Sequence, residues 1–173
     1  MAQEIKSFTN SVLAETKLIY RYDPRNSVNF HQFIDGVENL FVVIKLINGY
    51  VVGGYSCFPI EKDKQKSKSI GYGKGIIFSL THNRSFVMKR DPRTAVLTYD
   101  DFFFIFGNSE LRLKSQEKKF FSNFGVANST FENGTFPRTE FLGVSDMSNN
   151  ELELICFEFY QLKFKLWLKI NPL

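Results

Sequence analysis

The sequence is poor in the residues that most often do chemistry. Its 173 residues include 2 His, 2 Cys and 1 Trp. Cys57 and Cys156 are too few for a disulfide framework. Each stands in an apolar stretch, so both are expected to be buried and reduced. Zinc asks for about four ligands at recognisable spacing, and two Cys and two His scattered singly do not supply them. No Cys–His pair is indicated either. His31 has apolar neighbours, and His82 lies in a turn after a strand that need not approach either cysteine. No catalytic site, metal site or cofactor is expected.

Long apolar runs are also missing. No window approaches the roughly 18 apolar residues of a spanning helix. The segment Met1 to Ser11 holds Gln3, Glu4, Lys6 and Asn10 and lacks a signal-length apolar run. The cytosol is the expected location. Charge is not concentrated. The net charge is +4, but the 22 basic residues are spread along the chain. A nucleic-acid binder gathers them on one face, often with a motif. None is visible, so no nucleic-acid partner is expected.

Three motifs invite chemistry and fail on inspection. Gly71-Tyr72-Gly73-Lys74-Gly75 resembles a phosphate loop in composition. Such a loop opens a helix and follows its Lys with Ser or Thr. Here Gly75 follows, then an apolar strand, so a tight turn is expected. Asp100 and Asp101 are adjacent, and neighbours on a strand point to opposite faces, so they do not converge on a metal. The sequons at Asn128 and Asn133 have no meaning without secretion.

What the chain does have is phenylalanine, 20 in all, a residue that packs well on pleated sheets. Leu18 to Tyr22 predicts a strand stopped by Asp23-Pro24. Leu40 to Ile47 and Tyr50 to Phe58 predict a hairpin around Asn48-Gly49, a tight turn that needs positive φ at both residues. Gly53-Gly54 within it predicts a bulge or a close backbone approach. Further strands are expected over Ile76 to Leu80, Ser85 to Lys89, Phe102 to Phe106, Phe120 to Phe124 and Glu151 to Tyr160. In the last, Leu152 and Leu154, Cys156 or Ile155, and Phe157 or Phe159 would supply the core. Gly107 closes the Phe102 strand, and Arg90 to Thr98 reads as a loop.

Two helices are expected. Phe8, Val12 and Leu13 have helical spacing within Ser7 to Lys17. Ser27 to Gly36 carries an apolar face of Phe30, Phe33 and Ile34, with Ser27 as cap and Gly36 as left-handed terminator. The domain plan is therefore an N-terminal helical segment over 1–17, a β-rich body over 18–162 and a tail over 163–173.

Three stretches are candidate partner-binding surfaces. Glu61 to Ser69 carries Lys62, Lys64, Lys66 and Lys68, and reads as a solvated loop or a dock for an acidic partner. Leu113 to Lys119 adds Lys114, Lys118 and Lys119. The tail from Gln161 alternates strictly: Leu162, Phe164, Leu166, Leu168 and Ile170 interleave with polar residues and Trp167. It can pair within the domain, add to a partner's sheet, or lie on an anionic membrane surface.

The order of these motifs resembles the TLDc family. The residues that carry the resemblance are Leu18-Ile19-Tyr20, the helix Ser27 to Ile34, the hairpin Phe41 to Tyr55 with Gly49 to Gly54 at its centre, Gly71 to Leu80, Asp101 to Asn108 and Glu153 to Tyr160. The resemblance implies an α+β, mainly β fold: a two-sheet antiparallel β-sandwich with a few short helices. It also implies links to oxidative-stress protection and to the peripheral part of the vacuolar-type proton ATPase, with no established reaction. The chain departs from the family where Gly73-Lys74-Gly75-Ile76 replaces Gly-Thr-Gly-Glu and where Leu113 to Lys119 replaces a Gly-rich run.

A non-catalytic protein-binding module is the expectation that follows. One alternative is a structural subunit of a large cytoskeletal or ciliary assembly. A second is a redox protein acting through Cys57 or Cys156, which would need a partly exposed, electropositive thiol.

Overall fold

The computed structural model describes residues 11–23, 31–57, 59, 75–88, 96–99, 102–106, 111–114, 119–121, 137–144 and 151–166. Over these residues the protein is mainly β, wholly antiparallel, with two short helices. The strands are β1 (Ser11–Arg21), β2 (Leu40–Leu46), β3 (Val51–Ser56), β4 (Gly75–Ser79), β5 (Arg84–Val87), β6 (Val96–Tyr99), β7 (Phe102–Phe106), β8 (Leu111–Lys114), β9 (Lys119–Phe121) and β10 (Glu151–Leu166). The helices are α1 (His31–Ile34) and α2 (Arg138–Leu142). The hydrogen-bonded ladder runs β5-β4-β3-β2-β10-β9-β8-β7-β6 as one path, and β1 joins it by pairing with β10.

β10 is the hinge of this arrangement. Its first three residues pair with β9, its middle with β2 and its C-terminal half with β1. One arm, β2 to β5, grows from the hairpin that the β-branched run Leu40 to Ile47 predicted. The other, β9 to β6, holds the phenylalanine-rich strand β7. Phe106 of β7 is buried with its ring against Gly54 of β3, although five steps of pairing separate the two strands.

β2 buries both faces. Leu40, Val42, Ile44 and Leu46 join a main core with Val52, Ile77, Phe86, Phe106, Leu111, Leu113, Phe141 and Phe157. Phe41 faces the other way, into a second core with Tyr55, Ile76, Phe78 and Leu162. A strand buried on both faces reads as a continuous apolar run, which is what Leu40 to Ile44 shows before the exposed Lys45.

Several expectations are corrected. The helix over Ser7 to Lys17 is strand from Ser11 onward, because that segment pairs with β10 residue by residue. Of the helix over Ser27 to Gly36, the described part is α1, followed by Gly36 at φ 75° as predicted. The Asn48-Gly49 turn has positive φ only at Gly49 (87°), since Leu46 N–H and Gly49 N–H close a longer loop on Tyr50 O and Leu46 O. A left-handed glycine after such a turn matches strand twist without a left-handed Asn48. Gly53-Gly54 marks close approach and no bulge: β2 and β3 stay in register, and a Cβ at Gly53 would lie 2.0 Å from Val42 O. Val96–Tyr99 is strand where a loop was expected, held by pairing with β7. The strand expected over Phe120 to Phe124 is β9, Lys119–Phe121, in its described part.

The core of β10 answers the choice left open by the sequence. Phe157 and Phe159 are both buried and Ile155 is 48% exposed. A register irregularity between Leu154 and Cys156 shifts the alternation by one residue. Leu152 and Leu154 therefore face the same core as Phe157 and Phe159.

Candidate interaction surface

The tail expected to begin at 163 continues β10 without a break to Leu166, and it pairs with β1. The two strands form a ledge. β1 has an irregularity at Ala14 and another at Ile19. Cross-strand partners share a face. Leu13 opposite Phe164, Thr16 opposite Leu162 and Leu18 opposite Tyr160 therefore lie on one side. Glu15 opposite Lys163 and Lys17 opposite Gln161 lie on the other. The irregularity at Ala14 is what puts Leu13 on the side of Thr16 and Leu18.

The apolar side is only half covered. Leu162 is buried, and Phe164 is partly buried, its ring edge-on to Tyr55 at 6.5 Å. Leu13 and Leu18 are 46% and 42% exposed. The polar side carries an exposed ion pair, Lys163 Nζ to Glu15 Oε2 at 2.9 Å.

The far end of the ledge is clamped. Glu158 accepts from Arg21 Nε at 2.6 Å and from the Tyr160 hydroxyl. That hydrogen bond, helped by burial, raises the Tyr160 pKa. Past the Ile19 irregularity, Tyr20 and Tyr22 turn into the main core. Tyr22 stacks on Phe157 at 4.8 Å, and Tyr20 lies 5.6 Å from Phe33 of α1. Burial raises both tyrosine pKa values, with Asp23 adding to the effect.

A second polar cluster locks the opposite end of the first arm. Asn48 Nδ2 donates to Leu142 O at 2.7 Å and Gly143 O at 3.2 Å, while its Oδ1 accepts from Tyr50 N–H. Val51 N–H donates to Thr81 Oγ1 at 2.8 Å, and the His82 ring leans on Tyr50 at 5.3 Å. The Asn48 bonds fasten the end of α2 to the hairpin, and the Thr81 and His82 contacts fasten the hairpin to the β4–β5 turn. His31 is buried and bonds Asp35 through Nδ1 at 2.8 Å.

The nominated residues do not form one surface. Phe164 and Leu166 belong to the ledge. Lys114 closes β8 opposite Phe102, and Lys119 opens β9 opposite Glu153. Glu153 and Phe164 stand at opposite ends of β10, about 36 Å apart by strand rise. Leu113, expected on a surface, is buried in the main core. Gly49 and Gly53 have the turn and close-approach roles already given. Lys62, Lys64, Lys66, Lys68, Lys118, Trp167, Leu168, Gly71, Gly73 and Gly107 lie outside the described residues, as do Asp100 and Asp101. Cys57 and Cys156 are half-buried thiols with no disulfide between them, where full burial was expected, because each sits at an irregular point: the end of β3 and the β10 shift.

Among the described residues no group of three or more His, Cys, Asp or Glu side chains could hold a metal ion, and no helix is long and apolar enough to cross a membrane. The sequence reading missed Leu13, Glu15, Lys17 and Leu18 as surface residues. Thr16, Ile19 and Tyr20, all strand formers, were the available signal. No curated protein matches the chain. A family model described as the TLDc domain matches residues 2–163.

Proposed function

The chain belongs to the TLDc family, and from that membership we propose that it is a non-catalytic module whose β1–β10 ledge docks on a protein partner. The observation that carries this reading is the exposure of Leu13 and Leu18 in a row with Phe164. Exposed apolar side chains grouped beside polar ones mark protein docking sites more often than scattered single ones do. The fold proposed is the family's sandwich, with the two arms of the ladder as its layers. Phe106 packed on Gly54 supports it, because strands five pairings apart touch only if the ladder folds over.

The partner proposed is the peripheral sector of a vacuolar-type proton ATPase, in the cytosol, which is what kinship with the family suggests. The test is binding of that purified sector to the protein and to a Leu13→Lys/Leu18→Lys variant. Binding by the native chain and its loss in the variant, with circular dichroism unchanged, supports the reading. Equal binding by both would place the dock elsewhere. No binding by either would remove this partner.

A further inference from the structure

We infer that the outer edge of β1 pairs antiparallel with β1 of a second copy of this chain, about a two-fold axis through Thr16. The inference rests on the reading of the ledge as a docking surface and adds a partner along its edge. Among the described residues β1 pairs with no strand other than β10. Among the described residues its outer backbone groups meet no further strand, and side chains 13 to 18 are all exposed.

The sequence of β1 is self-complementary about Thr16. A two-fold axis there sets Glu15 of each copy opposite Lys17 of the other. This gives two ion pairs across one short ladder. Lys17 has no ion-pair partner among the described residues, and Glu15 needs only one of its two carboxylate oxygens for Lys163. Thr16 meets its own equivalent, a favourable cross-strand pair. Leu18 of one copy meets the Leu13–Ala14 irregularity of the other, so apolar meets apolar. An axis moved by one residue of the same kind, through Glu15 or Lys17, sets like charges directly opposite each other. The two irregularities confine regular pairing to Glu15 to Leu18, which fixes the register and keeps the contact short.

The contact is isologous and closes at two copies. The axis is perpendicular to the sheet, so it leaves the two apolar rows on the same side. The dimer then presents two adjacent ledges to one partner, and a second docking event follows the first at high effective concentration.

Sedimentation velocity over rising concentration tests this. The native chain is expected to shift from monomer to dimer. Lys17→Glu and Glu15→Lys should each stay monomeric, because each puts like charges opposite one another. An equimolar mixture of the two should dimerise again. A second arm uses Thr16→Cys, which mild oxidation should cross-link into a covalent dimer across the axis, with the native chain and its Cys57 and Cys156 as control. A native chain that stays monomeric, variants that dimerise as it does, or Thr16→Cys that fails to cross-link would each overturn the inference. The ledge is judged separately: if the native chain is monomeric and Leu13→Lys/Leu18→Lys still abolishes partner binding, the ledge stands and the dimer falls.

Discussion

The ring of Phe106 rests on the bare Cα of Gly54, and a Cβ added there would lie 2.7 Å from the ring. The contact joins the two arms of the ladder at a point where both residues are buried. Gly54→Ala is expected to destabilise by about 1–3 kcal/mol through overpacking. The entropy of the unfolded chain would favour alanine, so the sign of the effect reports the contact. Chemical denaturation measures it. Adding Phe106→Leu should recover part of the loss, as a double-mutant cycle on touching residues would show.

Asn48→Ala removes two bonds given to the end of α2 and one accepted from the hairpin. A cost of about 1–3 kcal/mol follows from leaving those carbonyls without their donor. Hydrogen exchange should rise in α2 before it rises in β2. Gly143→Ala should act in the same place, since Gly143 has φ 67° and a Cβ there would lie 2.2 Å from the Tyr50 ring.

Tyr55 is fully buried, and its hydroxyl donates to Asn39 Oδ1 at 2.9 Å. Burial, aided by Cys57, raises its pKa far above the ordinary 10.0. The folded state therefore holds the neutral phenol more firmly than the unfolded state does. The stabilisation is fully present below pH 10 or so and is lost as pH climbs from the unfolded pKa towards the folded one. Denaturation midpoints should fall above about pH 10 in the native chain and fall less steeply in Tyr55→Phe. At neutral pH the same variant should lose about 1 kcal/mol for the missing hydrogen bond.

Truncation after Lys163 deletes Phe164 from the second core and strips the pairing of Ser11 to Leu13. Burying a Phe side chain fully is worth about 1.5–3 kcal/mol, an upper bound for this half-buried ring. A lower melting temperature with a folded spectrum is the expected result, read by circular dichroism. A gain in solubility with no loss of stability would instead mean that the tail does not serve this domain.

Much of the strand pattern was legible because burial on both faces leaves an apolar run, as in Leu40 to Ile44. β1 was misread for the opposite reason. With side chains 13 to 18 exposed, no buried face imposes a period, and Leu13 with Val12 and Phe8 imitates a helix. The shift in β10 left no mark in composition, since one extra residue in a strand of apolar and acidic residues changes only the phase. α2 did leave marks, Pro137 before it and Gly143 at its left-handed end, and they went unread. Over Gln161 to Leu166, the described part of the tail, the alternation pointed correctly to a one-sided strand. Its neighbour could not be named, because pairing between Glu15 and Lys163 spans 148 residues and no local pattern encodes it.

That separation bears on how the molecule comes together. β10 is the last described strand in the chain, yet both arms and β1 are paired to it. During synthesis the first arm can close its own hairpins, but β1 has no partner and neither arm can join the other until β10 is made. Contacts so distant in sequence fold slowly. Throughout that wait the edge of β1 and the apolar strands of both arms stand open to other chains, the condition in which a nascent chain is prone to aggregate.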